Sequence, residues 1–209
     1  GDVVHHGLDP AMYQDCGPGG NGVVFLGRLA WVKGPELAIE AARRAGLPIV
    51  VAGRAHPADE APPRWREEVL EPALRTPGVS WLAAVDLAMK RRIFARSRAL
   101  AMPLRWDEPF GLVMIEALLA GCPVIASPLG AAPEIVRDGE DGFLVSGPDE
   151  MAVALRRASA LDRRAIQARA RARFSAARMA RDYVAVYRRA IAAFRGRAAR
   201  PERGATGER

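Results

Sequence analysis

An α/β fold follows from three observations on this 209-residue chain. Short apolar runs, such as 23–26 and 47–53, alternate with longer segments of helical character along most of its length. Glycine or proline punctuates the junctions. Half of the residues are hydrophobic, enough for one domain of ordinary size with a sizeable core. Such alternation is the βαβ pattern of a Rossmann-like, doubly wound parallel sheet, here of about six strands. Sheets of this kind bind ligands at the carboxyl ends of their strands.

Residues 1–22 read as a leading segment and Gly-rich linker, and 23–195 as the folded domain. Residues 196–209 hold Gly, Pro and charges without an apolar face, and are expected to form a disordered basic tail. His5 and His6 invite a metal, but adjacent side chains of an extended segment point apart and no third ligand is suggested, so none is expected. Gly17 to Gly22 matches G-x-G-x-x-G formally. That motif must follow a strand and open a helix; here it precedes the strand 23–26 and contains Pro18, so it reads as a flexible linker.

The first strand delivers the chain to Gly27-Arg28-Leu29-Ala30-Trp31-Val32-Lys33-Gly34-Pro35-Glu36. Gly34 can cap a helix and Pro35 suits its first position; the helix runs to about Arg44 and stops at Gly46. A glycine, two cations and a helix start suit a phosphate cradle, though taken alone Arg28 and Lys33 read as ordinary surface cations. Lys33 stands out, because among 31 basic residues only Lys33 and Lys90 are lysines. Residues 47–53 form a second strand ending at Gly53, 55–63 a Pro-rich loop, 65–74 a helix, and 79–82 a third strand. Val85 follows it, and Asp86 caps a helix to about Ala95. A fourth strand, 99–103, leads into Trp106-Asp107-Glu108-Pro109-Phe110-Gly111-Leu112-Val113-Met114-Ile115-Glu116.

Within this segment Pro109 biases Glu108 away from α conformation. Gly111 opens an apolar helix, 112–120, closed by Gly121 and Pro123. Glu108 therefore lies before a helix start and Glu116 one to two turns in. The helix start offers unpaired N–H groups to an anion, and Gly111 lets a ligand approach the backbone. A fifth strand spans 123–127, and Asp149 starts a further helix. From Leu161 the chain is helical and arginine-rich. Phe174, Met179, Tyr183, Tyr187, Ile191 and Phe194 recur at helical spacing, with 174–183 read as core-facing. Gly27, Gly53 and the Glu108 loop all follow strands, so they share one sheet edge and one site.

The net charge of +7 reflects arginine, and aromatic residues are sparse and not interleaved with it, which argues against nucleic acid. Cys16 and Cys122 show neither metal spacing nor a disulfide framework, pointing to a reducing compartment. No run approaches the ~18 apolar residues of a membrane span, and no signal peptide is evident. A cytoplasmic protein is expected, with peripheral membrane contact left open.

The E-x7-E spacing, written out as E-P-F-G-L-x-x-x-E and followed by Gly121-Cys122-Pro123-Val124-Ile125-Ala126, resembles the retaining glycosyltransferases of GT-B fold, glycosyltransferase family 4. Residues 27–34 match that family's G-R-L-x-x-x-K-G, and 130–136 its G-G-x-P-E-V-V with Ala131 for the second glycine. The resemblance covers about residues 3–194 and only the second, C-terminal half of such an enzyme. It implies that Arg28 and Lys33 hold the donor diphosphate, with backbone N–H groups near Gly111 and Leu112. It places Glu108 at the sugar ring, making Glu108, Arg28 and Lys33 the catalytic set, and Glu116 at the ribose hydroxyls. Gly27, Gly53, Val85 and Phe110 complete the implied donor site. Arg105 to Glu108 resembles bacterial members that use UDP-sugars, so a UDP-sugar is the favoured substrate, with no further cofactor. A glycosidase-type carboxylate pair is rejected, because Glu116 inside the helix faces ribose. The implied partner is an acceptor-binding N-terminal domain, in cis or in trans, to which the terminal helix crosses back. The alternative is a non-catalytic module that binds nucleotide or a partner on the same fold.

Overall fold

Among the described residues six strands form one sheet: β1 (Gly22–Leu26), β2 (Ile49–Ala52), β3 (Val79–Leu82), β4 (Ser97–Met102), β5 (Val124–Ala126) and β6 (Gly142–Leu144). The structure, a computed structural model, describes residues 2–13, 16–55 and 61–198, with side chains through 195. Every pairing is parallel and the order is β3-β2-β1-β4-β5-β6. The order reverses between β1 and β4, and a doubly wound sheet opens a crevice there, beyond the carboxyl ends of its strands.

The connecting helices are α1 (Pro35–Ala45), α2 (Glu71–Leu74), α3 (Leu87–Arg96), α4 (Leu112–Leu119), α5 (Ala132–Ile135), α6 (Gly147–Arg157), α7 (Arg163–Phe174) and α8 (Ala176–Ala198). Period-two alternation along buried strands feeds two cores. Val24, Leu26, Leu100, Met102 and Val124 pack with Phe94 of α3, Met114 and Leu118 of α4, and Ile166 and Phe174 of α7. Val23, Phe25, Val51, Ala99 and Ile125 pack with Ile39 of α1 and Met151 and Leu155 of α6 on the other face. No described helix is long and apolar enough to cross a membrane.

The expected order of elements holds, and 79–82 is a strand with those bounds. Asp86 caps α3, accepting from the Met89 N–H at 2.7 Å. Several expectations are corrected. The glycine segment is docked rather than a flexible linker. A Cβ at Gly17 would lie 2.4 Å from the Ala95 carbonyl oxygen, and one at Gly20 2.1 Å from that of Arg96. The Gly19 N–H donates to Ala95 O at 3.0 Å. The helix expected over 65–74 begins as a π-turn, Arg66–Leu70, with the Glu71 N–H reaching back to Arg66 O. Pro72 offers no N–H to continue an α ladder, and its ring crowds the preceding turn. α6 starts at Gly147, ahead of Asp149.

The terminal helical region breaks at Ser175, where Leu8 bridges it; Leu8 N–H donates to Phe174 O (2.9 Å) and Ala176 N–H to Leu8 O (2.8 Å). The core-facing stripe includes buried Phe174 and half-buried Met179 but not Tyr183, which is 37% exposed. His5 and His6 do not diverge: both rings approach Phe110, at 6.0 and 4.8 Å, because the segment is not a strand. The tail expected from 196 begins inside α8, which continues to Ala198; most of the loop 55–63, and the chain from 199 on, lie outside the described residues.

Candidate functional site

Gly27 and Gly53 leave neighbouring strands, and the second is glycine by necessity. A Cβ at Gly53, where φ is +155°, would lie 1.8 Å from the Gly27 carbonyl oxygen. Buried Leu29 then anchors the loop, its N–H donating to Arg54 O at 2.9 Å. A single 3-10 turn, Trp31–Lys33, ends at Gly34 in the left-handed region, φ +65°, where a Cβ would lie 2.3 Å from the Pro103 carbonyl oxygen. The start of α1 is thus pressed against the end of β4, across the topological switch.

Arg105 fastens these two loops. Its guanidinium donates to Trp31 O at 2.7 Å and to the Glu36 carboxylate, and it stacks 5.0 Å from the centre of the Trp31 ring. Its N–H donates to Val32 O at 2.8 Å. The clamp delivers Lys33 to Glu108. The ammonium donates to Glu108 Oε2 and lies 4.6 Å from the centre of the Trp106 ring, while Trp106 Nε1–H donates to the same carboxylate oxygen at 3.1 Å. Glu108 is only 8% exposed, and a buried carboxylate requires such partners.

From the other side the loop after β5 backs onto Glu108. Ala131 N–H donates to Glu108 O at 2.9 Å, and Gly130 N–H to Asp107 Oδ1 at 3.2 Å. Gly111, at φ +82°, begins α4, whose first internal bond runs from Met114 N–H to Gly111 O at 2.9 Å. The N–H groups of Leu112 and Val113 precede that bond and are left for an anion.

Glu116, the second motif carboxylate, has its own cation. Lys90 of α3 donates to its two oxygens at 2.7 and 2.9 Å. The Tyr13 hydroxyl lies beside it; burial, and then the adjacent Glu116 charge, push that phenol above its ordinary range.

The remaining anticipated positions are placed as follows. Arg28 is exposed on the loop after β1, and among the described residues its guanidinium has no partner. Val85 is half-buried in the loop after β3, against the α4-side core. Phe110 turns its ring toward His5, His6 and Phe174 (6.4 Å). Leu112 is exposed at the start of α4. Lys33, Glu108 and Gly111 are thus brought together, as are Gly27 and Gly53. The sequence assigns Tyr13 and Lys90 no role, and Arg105 and Trp106 only a place in the segment that favours a UDP-sugar. The rarity of lysine that singled out Lys33 applies equally to Lys90.

The arrangement offers cations and unpaired N–H groups to an anion, and two oriented carboxylates to hydroxyl groups. Residues 17–178 match the family described as "Glycosyl transferases group 1". D-inositol 3-phosphate glycosyltransferase of Mycobacterium marinum is 32% identical over 160 residues, 71% of this chain and 34% of that protein. The Mycobacterium leprae enzyme of the same name is 33% identical over 163 residues, covering 70% and 37%. The chain therefore spans about a third of the length of these curated relatives. Among solved structures, a glycosyltransferase involved in avilamycin A biosynthesis aligns with TM-score 0.76 at 26% identity, over 91% of this chain and 58% of its own. The Anabaena protein HepE, solved in complex with UDP-glucose, shares the fold with TM-score 0.74 at 23% identity, over 89% and 57%.

Proposed function

Since the chain belongs to the glycosyl transferases group 1 family, with a domain of GT-B type, we propose that it is the donor-binding half of a retaining enzyme of glycosyltransferase family 4. It takes a nucleoside diphosphate sugar, with UDP favoured, and the sugar passes to an acceptor hydroxyl. The observation that carries this is the meeting of Lys33, Trp106 and Glu108 at the switch point, beside the open start of α4.

In transfer the bond from the anomeric carbon to the diphosphate oxygen breaks, and a bond to the acceptor oxygen forms on the same face. The acceptor proton passes to the departing phosphate oxygen. Negative charge grows on the diphosphate, and preorganised positive groups lower the barrier most where charge develops. Arg28, Lys33 and the N–H groups of Leu112 and Val113 supply them. The diphosphate gives the Lys33 ammonium a second anion to bind, and Glu108 then accepts from sugar hydroxyls. Glu116 accepts from the ribose.

An acceptor domain, in cis or in trans, completes the cleft. Tyr187, Ile191 and Phe194 of α8 support this, at 59%, 51% and 75% exposure, as a large apolar stripe left uncovered on a helix. The UDP preference rests on the Arg105 to Glu108 segment.

The test is calorimetric titration with UDP, GDP, ADP and uridine. Arg28→Ala and Lys33→Ala should each weaken UDP binding about tenfold or more, the worth of a hydrogen bond between ions, and leave uridine binding nearly unchanged. Equal losses for UDP and uridine would remove both residues from the phosphate site. Failure to bind any nucleotide would refute the donor-site reading for this chain.

A further inference from the structure

A chain that takes nearly all its positive charge from arginine places its two lysines on the two carboxylates of one motif, Lys33 on Glu108 and Lys90 on Glu116. Lys33 belongs to the phosphate-binding segment. Lys90 does not: it lies on α3, twenty-six positions before Glu116, and only the fold brings the two together. The geometry points to Lys90 as a positioning residue for recognition of the nucleotide's ribose, acting through Glu116. This inference rests on the reading of Glu116 as the ribose acceptor.

A glutamate on a helix has three side-chain torsions, and a freely turning carboxylate makes a poor acceptor for a pair of hydroxyls fixed on one ring. Here both oxygens are held by one ammonium, at 2.7 and 2.9 Å, which sets the carboxylate plane. Tyr13, itself buried, faces the same carboxylate from a third element. The side chains of Lys90 and Glu116 are 21% and 15% exposed, so the pair is largely out of water but not sealed. An ionised carboxylate has about four acceptor positions. Lys90 occupies two, and the others are left for hydroxyls. Lysine suits this task because its ammonium is a compact point charge. A guanidinium fork would cover a wider edge of the carboxylate with fixed, planar donors.

Purely structural pairing of α3 with α4 would have a different signature. Loss of a structural tie lowers affinity for all nucleotides alike, whereas loss of positioning removes only the part of the affinity that comes from the ribose hydroxyls. The experiment compares UDP with 2′,3′-dideoxy-UDP by calorimetry on the full chain, in wild type, Lys90→Met, Lys90→Gln and Glu116→Gln, with folding checked by thermal unfolding. Wild type should bind UDP about tenfold or more tighter than the dideoxy analogue, as a hydrogen bond to an ionised acceptor requires.

In Lys90→Met that ratio should fall to about two or less, with dideoxy-UDP affinity unchanged. Lys90→Gln, which keeps an uncharged N–H donor group, should fall between, and it carries the test if Lys90→Met does not fold. If Glu116→Gln removes the ratio while both Lys90 variants keep it, the role of Lys90 is overturned and the ribose reading stands. That role is likewise overturned if the Lys90 variants weaken both nucleotides equally. If wild type shows no preference for UDP, or Glu116→Gln keeps the full preference, the ribose reading itself fails, and this inference with it.

Discussion

Gly130→Ala should loosen the site by pushing apart two loops that touch only because one residue lacks a side chain. A Cβ at Gly130 would lie 2.3 Å from the Glu108 backbone nitrogen and 2.4 Å from its carbonyl oxygen. Ordinary contact needs about 3.5 Å, so the loops must separate by roughly 1 Å. That movement breaks the bonds from Ala131 N–H to Glu108 O and from Gly130 N–H to Asp107, each worth about 1 kcal/mol. Gly130 also sits at φ +56°, where alanine costs about 1–2 kcal/mol. A loss of about 3–4 kcal/mol follows from these terms. Gly139→Ala is the matched control: its φ is +76° but nothing lies within 4 Å of its Cβ, so only the conformational cost applies. Urea denaturation of both variants against wild type gives the difference. Gly130→Ala should be about 2 kcal/mol less stable than Gly139→Ala, and should bind UDP-glucose more weakly because Glu108 has moved. Equal stability of the two variants would refute the claim that the loop after β5 braces Glu108.

Two further predictions concern the frame around the site. Asp141 is 1% exposed and accepts from Arg169 Nε at 2.7 Å and Arg173 Nη1 at 3.1 Å, so Asp141→Ala strands two part-buried cations. It should cost about 3–5 kcal/mol by thermal unfolding, and a loss under about 1 kcal/mol would show the network to be dispensable. Burial pushes the Cys122 thiol from 9.0 up to about 11. A raised value favours the protonated folded form, so the contribution is intact below pH 9 and is lost as pH rises from 9 to about 11. Wild type should lose about 2–3 kcal/mol more than Cys122→Ala over that window. Parallel curves from urea denaturation at each pH would contradict it.

Much of the fold is legible because the strands other than the edge strand β3 are largely buried on both faces. Such strands read as continuous apolar runs, and glycine or proline closes most of them. β6 is less visible: Gly142, Phe143 and Leu144 are too few to show a period. Glu108, Gly111 and Lys33 were open to recognition because a helix start, a turn and a cation are local features. Lys90, Tyr13 and Arg105 were not, since their partners lie twenty-six, 103 and 69 residues away. The glycines at 17 and 20 looked like slack for the same reason. What makes them glycine is the carbonyl edge of Ala95 and Arg96, remote in sequence. The Ser175 break was hidden because the helical pattern runs straight through it, and the interruption comes from Leu8.

The pairing of the only two lysines with the two motif carboxylates makes the chain its own spectroscopic reporter. Reductive methylation with 13C-formaldehyde labels side-chain amines and the amino terminus, and leaves every arginine silent. A heteronuclear spectrum of the labelled chain therefore carries one side-chain resonance for Lys33 beside Glu108 and one for Lys90 beside Glu116. The indole ring under Lys33 should shift its signal upfield through the ring current, which distinguishes the two without mutagenesis. On the proposed donor-site reading, each half of a bound nucleotide is then followed by its own peak: the diphosphate through Lys33 and the ribose through Lys90.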